Sequence, residues 1–187
     1  MTYVYIVTRA LTFFGSILRV FWEHVACRIL KLPVEDIRGF KTDETCGHIE
    51  HELPTSLSSA FFICCLPFTM NFIFGCAFSL SGAYRLFYVG EKDYWPVYVM
   101  IWLGISCFAN CASSFEDALA FKDALASSDE KVARILVAPF FAINYVMSFL
   151  ERYSVTFVLA ILFTVFFPQI FNLLFPLLDN IRQIMAK

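Results

Sequence analysis

The chain has 187 residues, of which 59% are hydrophobic and only 16% are charged, with a mean hydropathy of +0.69 and a net charge of -2. Soluble domains carry about 25% charged residues, and a globule of this size buries too little surface to hide such an apolar excess from water. The composition therefore excludes a water-soluble domain, and the acidic balance excludes nucleic acid as a partner, because that requires a basic face. We predict an integral membrane protein that lies in a lipid bilayer.

Apolar runs of membrane length predict about five transmembrane helices in one all-α domain covering residues 1–187. A bilayer core is crossed by about 20 mostly apolar residues, and such runs must be helical because lipid offers the backbone no hydrogen-bond partners. The predicted spans are residues 3–22, 57–80, 94–112, 135–150 and 155–178. We expect no buried acid–base pair suited to ion coupling within a span, which disfavours a transporter.

The basic residues of the connecting segments predict the orientation, because cytoplasmic loops are enriched in Lys and Arg. With five spans, one side of the membrane carries nine such residues and the other side carries three. The nine are Arg28, Lys31, Arg38, Lys41, Lys122, Lys131, Arg134, Arg182 and Lys187. We therefore expect the N-terminus outside and the C-terminus in the cytoplasm.

A polar segment after the first span concentrates ionisable side chains next to the membrane. Its ionisable residues are His48, Glu50, His51 and Glu52. Gly47 precedes this group and Pro54 follows it, so the segment is predicted to form a loop or hairpin rather than a helix.

A short amphipathic helix is predicted after the third span, over residues 114–125. Ser113 and Glu116 have the spacing of a capping box, in which a serine and an acidic residue cap the first turn. The apolar side of this helix is suited to the membrane surface. Asp117 falls in its first turn, where the helix dipole favours a carboxylate.

Two asparagines lie inside predicted spans, where an amide is costly unless it is hydrogen-bonded to another helix. We expect Asn71 and Asn110 to be partners. The seven cysteines lie mostly in apolar runs and lack metal-knuckle spacing, so they are interpreted as small buried residues rather than a disulfide framework. They are Cys27, Cys46, Cys64, Cys65, Cys76, Cys107 and Cys111.

The imidazoles of His24, His48 and His51 are the chain's candidate metal ligands of that type. A zinc hydrolase needs three protein ligands and a carboxylate that activates water. The His-Glu-x-x-His motif that supplies these groups from one helix is absent. His48 and His51 are three residues apart, which leaves a small metal site in the polar segment as one interpretation.

Three separated blocks carry a resemblance to a known family. They are CRILKLPV at residues 27–34, the pair Gly47 and His51-Glu52 with the later LPFTMN at 66–71, and NCASSFEDA at 110–118. In this order they resemble small integral-membrane zinc metalloproteases of the site-two type, in their compact bacterial and archaeal form. The resemblance implies a membrane-embedded helical fold, a zinc cofactor and peptide-bond hydrolysis.

The resemblance departs from the family at the positions that hold the metal. Registered on Cys27, the zinc motif falls on residues 19–23, with Arg19 and Glu23 in the ligand seats and Val20 in the seat of the general base. Asn110 replaces a later histidine, and Asp117 alone matches a family ligand. An arginine repels a dication and a valine cannot activate water, so we expect no catalytic residue and no bound metal.

These observations favour a catalytically inactive, metalloprotease-like scaffold, a pseudoenzyme that binds a segment of another membrane protein. The first alternative is an active intramembrane zinc hydrolase with a rearranged site of His24, His48, His51 and Asp117, near which Glu52 would also lie. The second alternative is a small accessory subunit of a larger membrane complex. Zinc is expected as a cofactor only under the first alternative.

Overall fold

The structure is a computed structural model that describes residues 2–38 and 48–185, with the backbone alone at Thr2, Arg38, His48, Phe175 and 177–185. Within these ranges seven α-helices and one two-stranded sheet follow each other along the chain. They are α1 (Thr2–Leu11), α2 (Phe13–Leu30), β1 (Val34–Arg38), β2 (His48–His51), α3 (Leu57–Tyr84), α4 (Pro96–Ala109), α5 (Phe115–Ser127), α6 (Lys131–Glu151) and α7 (Val155–Met185). A π-helical turn, Arg85–Val89, extends α3.

Three of the described helical segments are long and apolar enough to cross a membrane. They are Leu57–Val89, Lys131–Glu151 and Val155–Leu174. The pair α1 and α2 adds a fourth if the two helices together make one span, and α4 is a shorter apolar helix. These helices indicate an integral membrane protein, as predicted from composition, while the number of five spans stays a prediction.

The predicted first span, residues 3–22, is divided in the structure. α1 and α2 meet at Thr12 with a bend of 83°, and α2 continues to Leu30. The bend is stabilised from neighbouring helices: the indole Nε1 of Trp102 donates a hydrogen bond to the carbonyl oxygen of Leu11 at 2.9 Å. A donor from another helix is needed here because the last carbonyl oxygens of a helix have no hydrogen-bond partner within that helix.

Small residues let the central helices approach closely, which is the usual packing mode in membranes. Gly15 of α2 lies against α4, where its backbone nitrogen donates to Ser106 Oγ at 2.8 Å. A Cβ added at Gly15 would lie 1.9 Å from the Ser106 carbonyl oxygen. This contact fixes α2, and the side chains that it carries, against the centre of the bundle.

Asn71 and Asn110 are confirmed as partners across helices. Asn71 Nδ2 donates to the carbonyl oxygen of Asn110 at 2.7 Å and to that of Gly15 at 3.2 Å. Asn110 Oδ1 accepts from Ser16 Oγ at 2.7 Å. Both asparagines are buried, and their network joins α2, α3 and the end of α4.

The polar segment is predicted to form a loop or a hairpin, and in the structure its second half is a strand of an antiparallel pair. β1 and β2 pair antiparallel, with Val34 opposite His51 and Ile37 opposite Ile49. Ile49 is buried, and the sheet packs against α2. Cys46 and Gly47 lie outside the described residues.

The helix that follows α4 begins one residue later than predicted, and its capping residue is different. Ser114, not Ser113, is the N-cap, and its Oγ accepts a hydrogen bond from the Asp117 backbone nitrogen at 3.0 Å. Ser113 is engaged elsewhere, because its backbone nitrogen and hydroxyl bond the side chain of Asn144. The predicted pairing of Ser113 with Glu116 is therefore wrong, whereas Asp117 does lie in the first turn.

Candidate functional site

Glu23, His51 and Asp117 form a buried polar cluster, and helix α2 supplies Glu23. Arg19 and Glu23 are one turn apart and both are buried, as is Val20 beside them. Residues four apart share a face of a helix, so α2 presents Arg19 and Glu23 to the interior of the protein.

The hairpin brings an imidazole onto this face. His51 Nε2 lies 3.5 Å from Glu23 Oε1 and 3.2 Å from Asp117 Oδ1. His51 Nδ1 lies 2.9 Å from the carbonyl oxygen of Glu52. A carbonyl oxygen can only accept, so Nδ1 carries a proton and donates it, and this bond turns Nε2 towards the two carboxylates.

The N-terminus of α5 supplies the third residue. Asp117 Oδ2 accepts a hydrogen bond from Ser114 Oγ at 2.6 Å, which leaves Oδ1 facing His51. The side chains of Glu23, His51 and Asp117 are 3%, 2% and 4% exposed. Their ligand-type atoms all lie within 4.8 Å of one another, so three distant parts of the chain meet at one point.

The charges of the cluster compensate each other. Hydrogen bonds to Asp117 and then to Glu23 raise the pKa of His51 to about 11, against the opposing effect of burial. Burial acts to raise the pKa of Asp117, but the His51 hydrogen bond and charge outweigh it and lower that pKa below its usual value. In the absence of a metal ion, the cluster therefore holds an imidazolium beside two acidic groups.

A cavity of about 290 Å3 adjoins the cluster. His51 and Asp117 line it, together with Glu35, Glu50 and Glu116. These three glutamates are exposed, so the cavity gives a small cation or a basic group an acidic approach to the buried side chains.

The side chain of Arg19 is not a metal ligand but forms an ion pair with Glu151. Its Nη1 lies 3.2 Å from Glu151 Oε1 and 3.2 Å from the carbonyl oxygen of Ala112. Arg9 also donates to Glu151. Arg9, Arg19 and Glu151 therefore form a buried ion-pair network whose partners come from helices that are distant in sequence. The expectation that no single span carries a pair suited to ion coupling stays a prediction.

The predicted site residues separate into two groups. His51 and Asp117 meet as candidate residual ligands, and Glu23, which the sequence marks only as a degenerate motif position, joins them. His24 lies on α2 outside the cluster, and the exposed Glu52 contributes its backbone carbonyl rather than its carboxylate. The side chain of His48 lies outside the described part of the chain. Val20 is buried, and Asn71 and Asn110 are hydrogen-bonded between helices.

Comparisons with known proteins leave the family undetermined: no protein-family model, no curated protein and no solved structure matches this chain.

Proposed function

We propose that the chain is a membrane-embedded, metalloprotease-like scaffold that does not cleave peptide bonds and that binds a segment of another membrane protein. This proposal rests on two side chains of α2, Arg19 and Val20, which occupy positions where a metalloprotease would have a metal ligand and a general base. Arg19 is committed to Glu151, and Val20 is a buried aliphatic residue. A hydrolase needs a base within hydrogen-bond reach of the attacking water, and the seat that would hold it is occupied by valine.

The acidic cavity beside His51 is the proposed binding place for the partner. Among the residues that the structure describes, β1 and β2 form a two-stranded sheet, and the edge of a small sheet can pair with an extended segment of another chain. The cavity between this sheet and α5 is lined by Leu53, Ile49 and acidic side chains. A segment with apolar and basic residues has the chemistry to occupy it.

Site-specific photo-cross-linking in intact membranes tests the binding proposal. A photoreactive residue at Leu53, which is exposed and lines the cavity, is expected to give a discrete adduct. The matched control is Val132, an aliphatic and still more exposed residue in the first turn of α6, away from the cavity. The same adducts from both positions, or none from Leu53, would contradict the proposal.

A second candidate is an active hydrolase with a rearranged site, because Glu23, His51 and Asp117 are all ligand-type side chains at one point. Purified protein incubated with membrane-embedded peptide substrates separates the two functions. We expect no product that depends on the cluster. A product formed by the wild type and lost in Asp117→Asn would establish the hydrolase and overturn the scaffold.

The topology that accompanies this proposal has five spans, with α1 and α2 together as the first and α4 as the third. The N-terminus is then outside and the C-terminus cytoplasmic, in agreement with the distribution of basic residues. Small tags at the two termini test it: the N-terminal tag should be labelled in intact cells, and the C-terminal tag only after permeabilisation. Equal accessibility of both would refute an odd number of spans.

A further inference from the structure

We infer that Glu23, His51 and Asp117 bind one divalent transition-metal ion, with Zn2+ as the reference ion. This inference goes beyond the proposed scaffold, which depends on Arg19 and Val20 and stands without it. It also departs from the expectation of no metal, because His51 comes from the hairpin and not from the degenerate motif on α2.

The distances fit a small dication. A tetrahedral zinc ion with bonds of about 2.0–2.1 Å holds neighbouring ligand atoms about 3.3–3.4 Å apart. His51 Nε2 lies 3.5 Å from Glu23 Oε1 and 3.2 Å from Asp117 Oδ1. Adjustments of a few tenths of an ångström therefore bring His51 Nε2 to ligand spacing from each carboxylate, and the ligand atoms of the two carboxylates lie within 4.8 Å of each other.

Two hydrogen bonds outside the cluster orient its ligands. A metal-binding histidine typically donates its other ring N–H to a carbonyl or carboxylate, and its carboxylate co-ligands are hydrogen-bonded in turn. His51 Nδ1 donates to the Glu52 carbonyl oxygen at 2.9 Å. Ser114 Oγ donates to Asp117 Oδ2 at 2.6 Å. The two bonds turn His51 Nε2 and Asp117 Oδ1 towards each other, which is the arrangement that a shared metal ion requires.

The ligand types select the class of ion. One imidazole with two carboxylates suits zinc, iron or manganese, whereas magnesium and calcium prefer oxygen ligands alone. Two carboxylates balance the charge of a dication, and the charge of Arg19 is already paired with Glu151. The adjoining cavity, lined by His51 and Asp117, leaves room for a water molecule as the fourth ligand.

A metal ion bound here would link three separate elements of the fold and stabilise their packing. The three ligands belong to α2, to the end of β2 and to the first turn of α5. A metal ion at this point ties the hairpin to two helices and orders the cavity in which the partner segment is proposed to bind. Binding free energy of this kind adds directly to the stability of the folded state.

The experiment uses the full chain, purified in detergent and stripped with a chelator. Equilibrium dialysis against Zn2+ alone, followed by elemental analysis, is expected to give one ion per chain. Co2+ in its place should give the visible absorption of a four-coordinate site. Glu23→Gln, His51→Gln and Asp117→Asn should each weaken the affinity by at least about tenfold.

The matched control is Glu116→Gln, which changes the adjacent carboxylate on the wall of the same cavity and should retain the ion. Thermal unfolding without metal identifies any variant that fails to fold. Because Glu23→Gln and Asp117→Asn keep the shape of the side chain, the inference remains testable if His51→Gln does not fold. At a Zn2+ concentration near the dissociation constant of the wild type, Zn2+ should raise the melting temperature of the wild type and of Glu116→Gln clearly more than that of the three ligand variants. Substoichiometric zinc in the wild type, or equal affinity in Asp117→Asn, would overturn the inference.

Discussion

Replacing Glu151 with glutamine should destabilise the protein more than any surface substitution, because one carboxylate serves two buried guanidinium groups. Arg19 Nη1 lies 3.2 Å from Glu151 Oε1, and Arg9 donates to the same oxygen. Glutamine keeps the size of the side chain but removes its charge. Hydrogen bonds to charged groups contribute about 1.5–3 kcal/mol each, and breaking a buried ion pair from one side costs about 3–5 kcal/mol. We therefore expect a loss of at least about 3 kcal/mol.

The assay is reversible unfolding in mixed micelles, followed by circular dichroism. The control is Asp123→Asn, an exposed carboxylate on α5, which should change the free energy of unfolding by less than about 0.5 kcal/mol. Arg9→Gln should cost less than Glu151→Gln, because Glu151 then still pairs with Arg19. A loss below about 1 kcal/mol for Glu151→Gln would refute the view that this network holds α1 and α2 onto the end of α6.

Three further predictions concern packing, hydrogen bonding and charge. Gly15→Ala should lower the melting temperature strongly, because the new Cβ would lie 1.9 Å from the backbone carbonyl oxygen of Ser106, so that a helix backbone would have to shift. Asn71→Ala should cost about 1–3 kcal/mol in unfolding assays, because the carbonyl oxygens of Gly15 and Asn110 lose their donor. The metal-free protein should lose stability as pH rises from about 6.5 towards 11, because His51 binds its proton more tightly when folded. The slope is at most about 1.4 kcal/mol per pH unit, and His51→Gln should remove it.

The membrane class of the fold follows from the sequence because hydropathy is a local property. Apolar runs mark α3, α6 and α7 wherever they pack, and their predicted positions overlap the observed helices. The break at Thr12, in contrast, does not follow from local hydropathy. It depends on Trp102 and on the pairing of Arg9 with Glu151, and these partners are brought together only by the assembled bundle.

The candidate site could be predicted only in part for the same reason. Spacing within one segment does not decide whether His48 or His51 faces the helices, because that depends on the register of β2 against β1. The register pairs His51 with Val34, at the end of the hairpin next to α2. Glu23 is a ligand-type residue on the buried face of α2, four residues from Arg19. The sequence marks Glu23 only as a ligand position of the degenerate motif, and its contact with His51 depends on the fold.

The capping residue shows how a neighbour overrides a local motif. Ser113 and Ser114 are both suitable caps by residue type. Asn144 of α6 bonds Ser113, so Ser114 remains to cap α5. The one-residue shift places Asp117, rather than Glu116, opposite the capping hydroxyl and so aims the carboxylate at His51.

A double-mutant cycle between His51 and Asp117 tests most directly whether the hairpin and α5 meet in one site. The free energy of unfolding is measured for the wild type, His51→Gln, Asp117→Asn and the double variant, in metal-free detergent solution. Side chains in direct contact couple by about 0.5–3 kcal/mol, and we predict a coupling above about 1 kcal/mol. The control cycle pairs Asp117→Asn with His24→Gln and should be additive. Additivity within about 0.3–0.5 kcal/mol for His51 and Asp117 would contradict the site.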